Sequence, residues 1–121
     1  MPTILIIEDD ADLRTMLARL LTREKYTVVE ASNGIEANII IENNPPDLVI
    51  TDIVMPEQDG IGTINTIRKK HPEIKIIAIS GGGRMISEDY LRLSRMLGAQ
   101  YTFTKPFDNQ EFVAKVKEIL N

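Results

Sequence analysis

Apolar residues follow two rhythms that alternate along this chain. Short unbroken apolar runs mark strands covered on both faces. Each is followed by apolar residues recurring every three or four positions, the spacing of one helix face. "TILII" (3–7) predicts a first strand, and Leu13, Met16, Leu17, Leu20 and Leu21 predict a helix over 11–24. "YTVVEA" (26–31) predicts a second strand. Asn33-Gly34 then marks a turn, and Ile35, Ala37, Ile39, Ile40 and Ile41 carry a helix that Pro45-Pro46 stops. "LVIT" (48–51) is the third strand, and Gly60 precedes a stripe of Ile61, Ile64 and Ile67 that ends near His71-Pro72. "IKIIAIS" (74–80) is the fourth strand. Beyond Gly81-Gly82-Gly83, a fourth stripe of Ile86, Tyr90, Leu93 and Leu97 closes at Gly98 as a C-cap. "YTF" (101–103) predicts a short fifth strand. Asp108 with Glu111 reads as a capping box opening a last helix, with Phe112, Val113, Val116, Ile119 and Leu120 on its face.

Five strand–helix repeats with short connections predict an α/β domain with a parallel sheet and helices on both faces. The 121 residues suffice for one domain over 1–121, and 43% hydrophobic residues sustain a core. The net charge of −4 offers no surface for nucleic acid or an anionic membrane. The absence of cysteine excludes disulfides, zinc–thiolate sites and thiol catalysis, and agrees with a reducing compartment. No apolar run approaches the roughly 20 residues of a membrane span. "MPTILIIEDD" lacks the basic start and cleavage site of a signal peptide, so a cytoplasmic location is expected.

In an open parallel sheet, ligands bind beyond the carboxyl ends of the strands. The first strand ends in Glu8-Asp9-Asp10, the third in Asp52, the fourth in Ser80 and the fifth in Thr104-Lys105-Pro106. Parallel strands bring these ends to one edge. Clustered carboxylates repel one another, and a hard divalent cation relieves the repulsion. Oxygen ligands without nearby His or Cys favour Mg²⁺. Mg²⁺ with a lysine suits a phosphoryl group, a central carboxylate can attack it, and Ser80 could donate a hydrogen bond to a phosphoryl oxygen. Asp10 is better explained as a helix N-terminal acid and is left out of the metal set. His71 sits at a helix end before a proline and receives no role.

These residues, in this order, resemble the receiver domain of two-component response regulators. The resemblance rests on Glu8-Asp9, on Asp52, Met55, Pro56 and Gly60 as D-x-x-M-P-x-x-x-G, on Ser80-Gly81 and on Lys105-Pro106-Phe107, and spans nearly the whole chain. It implies a doubly wound, flavodoxin-like fold with strand order 2-1-3-4-5 and five helices. It implies that Asp52 accepts a phosphoryl group from a phosphohistidine on a sensor histidine kinase or a histidine phosphotransfer protein. Asp9 would bind Mg²⁺ directly, Glu8 would hold it through water, Asp52 would complete the carboxylate set, and the Val54 carbonyl would be a backbone ligand. Ser80 would be the switch hydroxyl and Lys105 the phosphate-pairing lysine, with Lys105-Pro106 matching a bond usually cis in the family. The first helix would face the kinase partner. The fourth helix, fifth strand and fifth helix would form the output face toward an unidentified downstream protein.

Such a domain is a switch that promotes its own phosphorylation and dephosphorylation, not a conventional enzyme. A phosphatase of the haloacid-dehalogenase type would need a second acid where this chain has Val54. A flavin carrier would set an anionic phosphate against the strand-end acids. A protein-binding module of receiver fold that ignores phosphorylation is the remaining alternative. It draws on a departure: Thr102 stands three residues before Lys105, where receivers usually carry Tyr or Phe. Alternation points Tyr101 and Phe103 to the other face, so neither substitutes for that ring. A second departure is "SGGGRMISEDY", longer than usual, whose glycines permit an order–disorder switch in which Arg84 reaches phosphate or a partner.

Overall fold

A computed structural model of the chain describes residues 1–53, 60–80, 92, 95, 96 and 98–121, with the side chains of 60 and 61 outside the description. Five strands, β1 (Thr3–Ile7), β2 (Thr27–Ala31), β3 (Leu48–Asp52), β4 (Lys75–Ser80) and β5 (Tyr101–Thr104), form one sheet in the order β2-β1-β3-β4-β5. Every pairing is parallel. Among the described residues, the complete helices are α1 (Ala11–Arg23), α2 (Gly34–Asn43), α3 (Gly60–Lys70) and α4 (Asn109–Leu120). These are four of the five expected. The segment expected to form a further helix before Gly98 lies largely outside the described residues, although Arg92, Arg95 and Met96 are helical.

Helix ends follow local chemistry. Asp10 caps α1 by accepting from the N–H groups of Asp12 and Leu13, at 3.0 and 3.2 Å. Asn33 caps α2 through Glu36 N–H, and Asp108 caps α4 through the N–H groups of Gln110 and Glu111. Lys25, with φ of 75°, turns the chain out of α1 into β2. Gly98, with φ of 112°, turns it toward β5, a conformation that suits glycine.

The sheet separates two apolar layers. On one face, Leu5, Ile7, Val49, Ile76 and Ala78 pack with Ala37 and Ile41 of α2 and Ile64 and Ile67 of α3. On the other, Ile4, Ile6, Ile50, Ile77 and Ile79 pack with Leu17 and Leu21 of α1 and Phe112 and Val116 of α4. Strand alternation assigns successive residues to opposite layers, so β1 beyond Thr3 and all of β3 are buried, as the apolar runs predict. Strand limits differ from the expectation by single residues. Asp52 lies within β3 and Thr104 within β5 because Ile79 and Ser80 of β4 pair with them. Tyr26 and Ile74 fall outside their strands.

Candidate phosphoacceptor site

The register of the sheet gathers the polar strand ends. Ile7 pairs with Thr51, Asp52 with Ile79 and Ser80 with Thr104, so Glu8, Asp52, Ser80 and Lys105 meet at one edge. Each is held by backbone bonds. Glu8 N–H donates to Ala31 O, Ile53 N–H to Ile79 O and Lys105 N–H to Ser80 O, all within 3.0 Å. The Lys105–Pro106 peptide is cis.

Asp52 is 4% exposed, and Glu8 and Ser80 are 1% exposed. Three ionisable groups share this recess. The Lys105 ammonium lies 2.8 Å from Asp52 Oδ2 and 3.5 Å from Glu8 Oε1. The other Glu8 oxygen, Oε2, accepts from Asp10 N–H at 3.1 Å. Burial pushes the Glu8 carboxyl up to about 7, and the Asp52 charge adds to the rise, against the opposing pull of Asp10 N–H and Lys105. For Lys105, burial works against the charge, but the hydrogen bond and charge of Asp52 outweigh it and raise its pKa.

Carboxylate oxygens of Glu8, Asp9 and Asp52 all lie within 4.8 Å of one another, with Asp9 on the exposed side. An all-oxygen, all-acidic donor set fits a hard divalent cation better than a transition metal. The raised Glu8 pKa points the same way, since a bound dication would supply charge compensation that Lys105 alone leaves incomplete. Asp10 stays outside this set, its side chain committed to capping α1. Val54, Met55 and Pro56, with Gly81–Gly83 and Arg84, lie outside the described residues.

Thr102 lies on the sheet face of Ala78, its partner in β4, and its Oγ1 accepts from Arg95 Nη1 at 3.3 Å. The flanking rings face the other layer. Tyr101 and Phe103 meet edge to face at 4.9 Å, and Phe103 packs on Phe107 and Phe112. Lys115 of α4 places its ammonium 4.3 Å above the Tyr101 ring. Neither ring stands in for a side chain at 102.

One residue beside the site escaped the reading of the sequence. Arg14, one turn into α1, donates from Nη1 to the carbonyl of Glu8 at 2.7 Å and pairs through Nε with Glu30 at 3.3 Å. The available signal was its spacing: a long cation six residues past Glu8, the first acid of the strand end, on a helix that folds back over that end.

The profile of the family described as the response regulator receiver domain matches residues 4–117. Among curated proteins, the chain is 33% identical over 117 residues to the sporulation initiation phosphotransferase F of Bacillus subtilis, spanning 97% of this chain and 92% of that protein. It is 38% identical over 121 residues to the sensor kinase CckA of Brucella abortus, but spans only 12% of that protein. It spans about half of several transcriptional regulators, including CpxR of Escherichia coli at 33% identity and 50% of the length. Among solved structures, the receiver domain of NtrX from Brucella abortus superposes with a TM-score of 0.90 at 28% identity, covering 97% of each chain. A CheY-like receiver domain protein from Methanospirillum hungatei gives 0.90 at 28% identity, over 98% of this chain and 92% of that one. With the strand order and the acidic edge, these likenesses make the chain a member of the response regulator receiver domain family.

Proposed function

We propose that this domain, spanning residues 1–121, accepts a phosphoryl group on Asp52 from a phosphohistidine of a sensor histidine kinase or histidine phosphotransfer protein in the cytoplasm. The observation that carries this reading is the buried Asp52 carboxylate, 2.8 Å from the Lys105 ammonium and within 4.8 Å of the Glu8 and Asp9 carboxylates. An Asp52 oxygen attacks phosphorus, the phosphorus–nitrogen bond breaks, and the imidazole leaves with its electron pair and takes up a proton. Hydrolysis of the acyl phosphate by water regenerates the carboxylate.

Each neighbour has a part. Asp9, Glu8, Asp52 and the Val54 carbonyl would hold Mg²⁺, Asp9 directly and Glu8 through water. The cation supplies charge neutralisation for the phosphoryl oxygens. Lys105 is anchored at its backbone to Ser80 O, so its ammonium can pass from the Asp52 carboxylate to a phosphoryl oxygen without moving its strand. Ser80 donates its hydroxyl to another phosphoryl oxygen. The kinase-side partner docks on α1, where Met16, Leu20 and Arg23 line shallow grooves beside Asn109 and Val113 of α4. The output face is the segment around Arg95 together with β5 and α4.

Thr102, bonded to Arg95 in place of an aromatic ring, favours one second reading: a partner-binding module of receiver fold that does not respond to phosphorylation. Intact mass after incubation with Mg²⁺ and a small phosphodonor separates the two. The phosphoacceptor reading expects one phosphoryl adduct on the wild-type chain and none on Asp52→Asn. An unmodified wild-type chain supports the binding module.

A further inference from the structure

We infer that Arg14 is a positioning residue for the metal site, fixing the peptide from which the Glu8 and Asp9 carboxylates project. This rests on the reading of that edge as a Mg²⁺ site. Glu8 is the first residue beyond β1. Its N–H is secured by Ala31 O, but its carbonyl lies past the last ladder pairing, and the Arg14 guanidinium donates to it at 2.7 Å. A carbonyl in so buried a position needs a donor, and a charged donor gives a stronger bond than a neutral one.

Fixing that carbonyl fixes the plane of the Glu8–Asp9 peptide. The Glu8 side chain is then held from its other end by Asp10 N–H, and Asp9 is left between two anchored residues with its carboxylate within reach of Asp52. Arg14 is itself held. Its Nε pairs with Glu30 of β2, and its own N–H bonds Asp10 O in the first turn of α1. The guanidinium thus ties β1, β2 and α1 together directly behind the acidic turn.

Charge and position predict opposite effects, which makes the inference testable. A guanidinium near three carboxylates opposes cation binding by simple repulsion, so its removal on charge grounds alone would tighten Mg²⁺ binding. A positioning role predicts weakening. Partners that orient metal ligands typically account for about 10–100-fold in affinity.

The test is a Mg²⁺ titration of the full chain by calorimetry, for wild type, Arg14→Ala, Arg14→Lys and Glu30→Gln, with amide exchange at Asp9 and Asp10 read in the metal-free proteins. We expect about tenfold weaker Mg²⁺ binding in Arg14→Ala, a smaller loss in Arg14→Lys, which keeps one donor, and faster exchange at Asp9. Glu30→Gln leaves the bond to Glu8 and should stay within about twofold of wild type. Equal or tighter Mg²⁺ binding by folded Arg14→Ala overturns the inference. If that variant does not fold, wild-type affinity in Arg14→Lys overturns it and a loss sustains it. A wild-type chain that binds no Mg²⁺ overturns the metal site itself, a different result from a wild type that binds and a variant that binds equally well.

Discussion

Replacing Glu8 by Gln should make the metal-free protein more stable at neutral pH while damaging the site. The wild-type carboxyl is 1% exposed and its pKa rises from 4.5 to about 7. Folding therefore favours its protonated form. Its contribution to stability is complete below about pH 4.5 and is lost as pH rises through about 7. At about 1.4 kcal/mol per tenfold change in proton affinity, the loss amounts to about 3 kcal/mol. Gln keeps an oxygen to accept from Asp10 N–H and cannot ionise. Urea unfolding in chelator across pH 4.5 to 8, read as the difference between variant and wild type, should be near zero at the acid end and should grow to about 3 kcal/mol in favour of Glu8→Gln at the other. Saturating Mg²⁺ should narrow that gap, because the cation favours the ionised wild-type carboxyl. A difference that stays flat with pH, or a variant less stable than wild type at pH 8, would refute the claim that burial and Asp52 raise the Glu8 pKa.

Four further substitutions separate site from scaffold. Lys105→Met leaves the Asp52 carboxylate buried without its ammonium, and should destabilise the metal-free protein at pH 8 by about 3 kcal/mol, with Mg²⁺ restoring much of the loss in the same urea titration. Asp10→Ala removes the α1 cap and should lower stability by about 1 kcal/mol with Mg²⁺ affinity kept, whereas Asp9→Ala should do the reverse; calorimetry and thermal melts compare the two. Gly98→Ala would place a Cβ 2.6 Å from Arg68 Nε at a φ of 112°, disturbing the guanidinium that bonds Pro72 O and Gly98 O. We expect more than about 1 kcal/mol of destabilisation, part of which persists when Arg68 is also shortened to Ala, because the positive φ disfavours alanine whatever the space around it.

The fold was legible because its signals are local and repeated. A buried strand such as Leu48–Ile50 announces itself by composition, and Asp10 and Asp108 announce helix starts by the hydrogen bonds that their side chains can make. The site was legible because parallel strands make the topology deliver Glu8, Asp52, Ser80 and Lys105 to one edge. What sequence could not supply depends on distance between residues remote along the chain. The extra strand residues at Asp52 and Thr104 come from pairing with β4. The raised pKa of Glu8 comes from burial beside Asp52. The tie from Arg14 to Glu8 O looks, in sequence, like any solvated arginine on an amphipathic helix, and the bond from Arg95 to Thr102 crosses between elements that share no motif.

In the proposed reaction it is Asp52 that takes up the phosphoryl group. The most direct test is to expose the chain to Mg²⁺ and a small phosphodonor, reduce with borohydride, and sequence the peptides by mass spectrometry. Reduction converts an aspartyl phosphate to homoserine and leaves a free carboxylate unchanged. Homoserine is expected at position 52, dependent on Mg²⁺ and absent when Lys105 is Met. Conversion at Asp9 or Glu8 instead, or at no aspartate under conditions where the chain binds Mg²⁺, would contradict the proposal.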